Sequence, residues 1–143
     1  MTSTIQDTWT YNDGGRAEAG FKGDAGDCVT RAVAIATGRP YREVYDELAA
    51  LVHAHDGKRS ARNGVPKKLV RDYIISQGFT WTPTMKVGQG TTVHLKADEL
   101  PGGTIIASVS KHVVAVIDGQ INDTHDPSRD GKRAVYGYYT KEA

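Results

Sequence analysis

The stretch HVVAVIDGQIND, residues 112–123, contains the strongest secondary-structure signal in the chain. Five consecutive apolar residues are followed by Asp118-Gly119 and then by a shorter segment of mixed polarity. An Asp-Gly pair between two such segments is typical of the two-residue turn that joins antiparallel strands. The pattern therefore predicts a β-hairpin, with strands over residues 112–117 and 120–124.

The same turn indicates which side chains of the hairpin share a face. With Asp118-Gly119 at the centre, counting back along both strands places His112 opposite His125. Because side chains alternate between faces, Asp123 then lies on the face of His112 and diagonal to it, within reach of the ring. Asp126 falls on the opposite face and is the second choice as a partner for the imidazole.

Outward from the hairpin, the first half of the chain predicts three helices, each marked by apolar residues at a period near 3.6. Glycine and proline mark the ends of these helices, since glycine ends a helix readily and proline is tolerated at its first position. The predicted boundaries are Cys28 to Gly38, Pro40 to about Asp56, and Pro66 to Gly78. Residues 1–27 are rich in glycine and turn-forming residues and are predicted to be irregular.

The second half is rich in β-branched and aromatic residues and predicts further strands. These cover residues 79–83, 91–95, 104–109 and 134–140. Helices followed by an antiparallel sheet indicate the α+β class. The length of 143 residues suits a single domain spanning the chain.

Composition excludes several classes of function. The 18 basic and 17 acidic residues nearly balance, which argues against a nucleic-acid-coating protein. No stretch approaches the ~20 apolar residues of a membrane span. The first residues resemble no secretory signal, so we expect a cytoplasmic protein without a membrane partner. A single cysteine excludes an internal disulfide framework and a Cys-rich zinc site.

That cysteine, Cys28, is predicted to lie in the first turn of a helix. There the free N–H groups and the helix dipole favour a thiolate, and the Cys28 N–H could stabilise an oxyanion together with a donor from the preceding loop. The adjacent Asp27 would raise the thiol pKa, unless helix N–H groups satisfy its carboxylate. The alternative is a structural cysteine packed beside Val29 and Ala32, and this segment alone favours neither.

His112 and Asp123 complete a candidate catalytic triad with Cys28. His112 would take the thiol proton, and Asp123 would orient the imidazole. The pair could instead be a hydrogen-bonded strand end with no catalytic role. A third interpretation is a metal site built from His112, Asp123, His125 and Asp126, whose nitrogen and oxygen atoms suit a divalent ion.

The order of these residues, a helix-borne cysteine followed by a strand-borne His–Asp pair, resembles the papain-like cysteine hydrolase superfamily. The segment GDCVTRAV, residues 26–33, resembles the cysteine motif of ovarian-tumour (OTU) type deubiquitinases, although Ala25 and Thr30 depart from it. Residues 112–123 resemble the His–Asp half of bacterial leader-peptide peptidases, and the chain also resembles small proteins of bacteria and their phages.

This resemblance implies a papain-like fold, a Cys28–His112–Asp123 triad, no cofactor, and a protein or peptide substrate, with a ubiquitin-like conjugate as one candidate. Peptidoglycan amide cleavage is a competing activity on such folds. The remaining alternative is a non-catalytic protein-binding module that uses the basic segment 57–72. The cations of this segment are Lys58, Arg59, Arg62, Lys67, Lys68 and Arg71.

Overall fold

The computed structural model describes residues 9–20, 27–56, 67–86 and 90–141, which form three α-helices and two β-sheets. The helices are α1 (Cys28–Thr37), α2 (Tyr41–Asp56) and α3 (Lys67–Ser76). The strands are β1 (Trp9–Tyr11), β2 (Thr80–Pro83), β3 (Met85–Lys86), β4 (Gly90–Thr91), β5 (Thr104–Val109), β6 (His112–Ile117), β7 (Gln120–Asp123) and β8 (Gly137–Thr140). This content confirms the α+β class.

The main sheet is mixed, with the strand order β1-β7-β6-β5-β8-β2. All pairs are antiparallel except β1 and β7, where Trp9 lies opposite Ile121 and Tyr11 opposite Asp123 in parallel register. The prediction of a purely antiparallel sheet was therefore wrong, and the irregular structure predicted for residues 1–27 was wrong at Trp9–Tyr11. A three-residue strand is too short to show the alternation on which strand prediction depends.

The predicted hairpin is confirmed. Ile117 lies opposite Gln120 and Val116 opposite Ile121, as the Asp-Gly turn predicted. Asp118 and Gly119 have φ values of 50° and 83°, and positive φ at both positions is what a type I′ turn requires. The β7 strand ends at Asp123.

A second tight turn positions the start of β6. Val109 of β5 pairs with His112, so only two residues separate the strands. The second of them, Lys111, has φ 57°, a left-handed conformation. His112 is consequently the first residue of β6, at the end of the sheet, as the sequence predicted.

The three predicted helices are also confirmed. Gly38 adopts a left-handed conformation with φ 74°, and its N–H donates to the Ala34 carbonyl at 2.9 Å, which closes α1. The loop predicted from Asp56-Gly57 through Asn63-Gly64 lies mostly outside the described residues. Within the described part of the chain, no helix is long and apolar enough to cross a lipid bilayer.

The predictions for residues 91–95 and 134–140 were only partly correct. The β4 strand pairs with β3 in a small separate sheet, and His94 forms an isolated bridge with Ala134. The β8 strand begins only at Gly137. Leu95 is fully buried against the main sheet, so this apolar segment covers the sheet instead of joining it.

Two hydrophobic clusters flank the main sheet. On one side the helices pack through Val33, Val44, Leu48 and Ile74, together with Ile106 of β5. On the other side Leu95 and Val135 belong to a cluster with strand residues such as Ile105, Val116 and Ile121. The α1 helix packs chiefly on β6, which brings the start of α1 near the start of that strand.

Candidate active site

Cys28 is the first residue of α1, which is where the sequence placed it. The side chain is partly exposed and lines a cleft that it shares with His112. The first helical turn contains no acidic residue, so nothing on the helix itself offsets the positive end of its dipole. The thiol is therefore accessible and lies where a helix favours negative charge.

The His112 ring connects this thiol to Asp123. The ring nitrogen Nε2 lies 2.7 Å from Asp123 Oδ2, and the Cys28 thiol lies close enough to the ring for the two groups to shift each other's pKa. Because Nε2 is engaged by the carboxylate, Nδ1 is the ring nitrogen available to the thiol. The structure thus brings together the three residues that the sequence singled out, although they lie far apart along the chain.

Asp123 is the acidic partner, and Asp126 is not. The Asp123 side chain is only 4% exposed. Its second oxygen, Oδ1, accepts the Thr124 backbone N–H at 2.7 Å and an Arg31 guanidinium N–H at 3.3 Å. Asp126 is exposed and accepts the Ser128 backbone N–H at 3.0 Å.

The charges of the three groups reinforce one another. Burial would raise the pKa of the Cys28 thiol, but the hydrogen bond and charge of His112, with help from Arg31, lower it overall. Burial would lower the pKa of His112, yet the hydrogen bonds to Asp123 and Cys28 raise it to about 9. Burial likewise opposes ionisation of Asp123, but its bond to His112 lowers the pKa of that carboxyl. The lowered thiol pKa and the raised imidazole pKa both favour the thiolate–imidazolium form of the pair.

The Asp27 carboxylate is satisfied by side chains and not by the N–H groups of the helix start. Asp27 precedes α1 but makes no side-chain capping bond, so the expected satisfaction by helix N–H groups was wrong. Its buried carboxylate instead binds the Arg31 guanidinium, Arg16 Nε at 3.2 Å and the Tyr41 hydroxyl. These partners offset the Asp27 charge beside the thiol.

Arg31 joins the two buried carboxylates, a role that its place in the cysteine motif does not predict. One guanidinium nitrogen binds Asp27 and the other lies 3.3 Å from Asp123. Its side chain is 10% exposed. The spacing of Asp27 and Arg31, four residues apart at a helix start, is a recognisable signal for their pairing. Nothing in the sequence indicates the long-range bond to Asp123.

The structure describes one of the two predicted oxyanion donors, the Cys28 N–H. The Cys28 N–H belongs to the first turn of α1, where N–H groups have no intrahelical acceptor. The second donor was predicted in the loop before Cys28, and residues 21–26 of that loop lie outside the described part of the chain.

The cleft has a volume of about 1040 Å³ and combines apolar and basic walls. Apolar and aromatic residues lining it include Val29, Val70, Trp81, Val113 and Tyr139. From the predicted basic segment, Lys67, Lys68 and Arg71 line it too, whereas Lys58, Arg59 and Arg62 lie outside the described residues. The cleft offers an apolar surface and positive charge beside the thiol.

The predicted metal site is present only as a smaller group. Potential donor atoms of His112, Asp123 and His125 lie within 4.8 Å of one another, and the two rings are 5.5 Å apart. Asp126 does not belong to this group. The hydrogen bond between His112 and Asp123 already uses one potential metal-ligand atom of each residue.

Comparisons with known proteins identify no relative. The chain matches no protein-family model, and searches of curated proteins and of solved structures give no significant match. The resemblance to papain-like and OTU-type proteins consequently depends on residues 26–33 and 112–123, and it stays a prediction.

Proposed function

We propose that the protein is a cysteine hydrolase that cleaves an amide bond through a thioester intermediate. The observation that supports this proposal is the convergence of Cys28 and His112 at the wall of one cleft, with the His112 ring hydrogen-bonded to Asp123. A buried polar pair at a strand end would need no accessible thiol beside it, and a structural cysteine would need no imidazole.

Acylation begins with the Cys28 thiolate, whose proton His112 has taken. The sulfur attacks the carbonyl carbon of the substrate, and the carbonyl oxygen gains a negative charge that the Cys28 N–H stabilises. The His112 imidazolium donates its proton to the leaving nitrogen as the carbon–nitrogen bond breaks. A free amine departs, and the acyl group remains on Cys28 as a thioester.

Deacylation reverses the role of His112. The neutral imidazole takes a proton from water, and the resulting hydroxide attacks the thioester carbon. The carbon–sulfur bond breaks, the carboxylic acid product leaves, and the thiolate–imidazolium pair is restored. Asp123 keeps a proton on Nε2 throughout, so that Nδ1 faces the reacting sulfur.

A protein or peptide is the proposed substrate class. The OTU-like segment around Cys28 favours the isopeptide bond of a ubiquitin-like conjugate, whereas the papain-like arrangement alone is equally compatible with a peptidoglycan amide. A papain-like architecture belongs to the same proposal, because the mixed α+β fold is the coarser finding on which it builds.

Labelling by an electrophilic ubiquitin-like or peptide probe tests the proposal, with the adduct mapped by mass spectrometry. We expect a single adduct on Cys28 in the wild type, none in Cys28→Ala, and a strongly reduced yield in His112→Ala. His94→Ala is the matched control, since His94 also contacts a carboxylate, Glu99 at 3.1 Å, but lies outside the cleft. Equal labelling of wild type and His112→Ala would contradict the proposal.

The group formed by His112, Asp123 and His125 favours a metal-dependent hydrolase as a second candidate. That activity would require one bound zinc equivalent, loss of turnover with a chelator, and little effect of Cys28→Ala. The cysteine hydrolase predicts the opposite pattern, with turnover that survives the chelator and disappears in Cys28→Ala. The two outcomes are mutually exclusive.

A further inference from the structure

Basic side chains are concentrated around the cleft. Lys67, Lys68 and Arg71 line it from α3, and Lys111 lines it from the turn between β5 and β6. Arg31 of α1 lines it too, but is paired with Asp27 and Asp123. Among the described residues that line the cleft, Asp72 is the only carboxylate, and it pairs with Lys68 at 3.3 Å. The whole chain has a formal charge of only +1, so this concentration is local. A cleft with such walls attracts anions to the thiol.

Among these cations, Arg71 is held in place by contacts with aromatic side chains. Its guanidinium lies 5.1 Å from the centre of the Trp81 ring and interacts with the Tyr139 hydroxyl. The Trp81 and Tyr139 rings pack 4.7 Å apart, so the arginine rests on an ordered aromatic wall. Within the described residues, no carboxylate forms an ion pair with Arg71. The contact with the Trp81 ring holds the guanidinium while leaving N–H donors for a carboxylate ligand.

We propose that the cleft selects a peptide segment with an acidic residue close to the bond that Cys28 attacks, and that Arg71 is its main contact. This inference rests on the proposed function. The stem of the acidic side chain would lie against the Trp81 wall, and the carboxylate would meet the guanidinium. Lys111 and the lysines of α3 add attraction at longer range, which is sensitive to salt.

Two small alkylating reagents, iodoacetate and iodoacetamide, test the charge preference directly. Both transfer a two-carbon group to the Cys28 sulfur with loss of iodide, and they differ mainly in charge. The ratio of their second-order rate constants reports the field at the thiol. We expect Arg71→Gln and Lys111→Gln each to lower the iodoacetate-to-iodoacetamide ratio about two- to fivefold at low salt, because the ratio cancels any change in thiol reactivity that both reagents share.

Matched variants separate charge from packing. Arg71→Lys keeps the charge but loses the planar stack, so the ratio stays near that of the wild type. Lys132→Gln removes the same charge from a surface outside the cleft, and the ratio stays unchanged. Salt at about 1 M, where the screening length is near 3 Å, abolishes most of the difference between wild type and Arg71→Gln.

A pair of acetylated chloromethyl ketones, one built on glutamate and one on glutamine, extends the test to a peptide backbone. The glutamate reagent is expected to inactivate the wild type faster, and Arg71→Gln to remove that advantage. An unchanged ratio in Arg71→Gln with both reagent pairs would overturn this inference. The proposed function fails separately, if His112→Ala leaves the alkylation rates at their wild-type values.

Discussion

Two arginine-centred networks in the molecule have similar chemistry and very different surroundings. Arg31 binds Asp27 and Asp123 in the interior, where the three side chains are 1–10% exposed. Arg39 binds Glu43 and Glu47 on the surface, where the glutamates are 53% and 44% exposed. Water already solvates the surface charges, so their pairing adds little stability. The buried charges depend on one another, and the group they hold in place is the imidazole beside Cys28.

Removal of Arg31 is expected to have the largest effect. The Arg31→Ala variant removes the one cation that both buried carboxylates share, and we expect a loss of about 3–5 kcal/mol of unfolding free energy. Urea denaturation at pH 7 measures the loss. Arg31→Lys keeps one charge but cannot reach both carboxylates in the same way, so we expect an intermediate value. A loss below 1 kcal/mol for Arg31→Ala would show that the buried network resembles the surface one.

The pH dependence of stability sharpens the comparison. The pKa of His112 is raised to about 9 from an unfolded value near 6.5, so protonated His112 stabilises the native state fully below pH 6.5. This contribution declines as the pH rises and is lost as it passes about 9. We expect the stability difference between wild type and His112→Ala to shrink by roughly 1–3 kcal/mol between pH 6.5 and 9.5. Chemical denaturation across this range measures it, and a constant difference would contradict the pairing.

Asp123→Asn keeps the shape of the side chain but removes its charge. The pKa of His112 then falls, less thiolate forms at Cys28, and alkylation at pH 6 slows about tenfold, which corresponds to one pKa unit. Asp126→Asn is the control, because its carboxylate binds only a local backbone N–H among the described residues. Stopped-flow alkylation of both variants measures the difference. Equal alkylation rates in Asp123→Asn and Asp126→Asn would show that Asp123 does not support the His112 imidazolium.

The smallest effect is expected at the surface network. Arg39→Ala removes contacts to Glu43 and Glu47, yet the expected loss of unfolding free energy is about 0.2–1 kcal/mol. Alkylation of Cys28 stays at the wild-type rate because Arg39 lies outside the cleft. A loss of stability comparable to that of Arg31→Ala would remove the distinction between the two networks.

Local signals explain which parts of this architecture were predictable. The turn at Asp118-Gly119 determines the register of β6 and β7, and this register alone places Asp123 beside His112. Glycine and proline mark the helix ends in the same local way, which located Cys28 at the start of α1. Each of these features depends on residues close together in the chain, where steric preferences act directly.

The features that escaped prediction depend on contacts between distant residues. The β1 strand exists because β7 offers a free edge, and no short-range pattern in its three residues indicates that pairing. Leu95 belongs to a segment that covers the sheet, although its composition suits a strand. The bond from Arg31 to Asp123 joins residues 92 positions apart. Such contacts arise from the packed molecule as a whole.

Titration of the Cys28 thiolate most directly tests whether the sulfur and the imidazole act as one unit. Thiolate absorbance near 240 nm and the rate of alkylation by iodoacetamide are followed from about pH 4 to 10 in wild type and His112→Ala. Since Cys28 is the only cysteine, both signals report one sulfur. We predict a wild-type thiolate that persists well below the ordinary cysteine pKa of about 8.5, and a midpoint shifted upward in His112→Ala. Identical midpoints near 8.5 in both proteins would contradict the account.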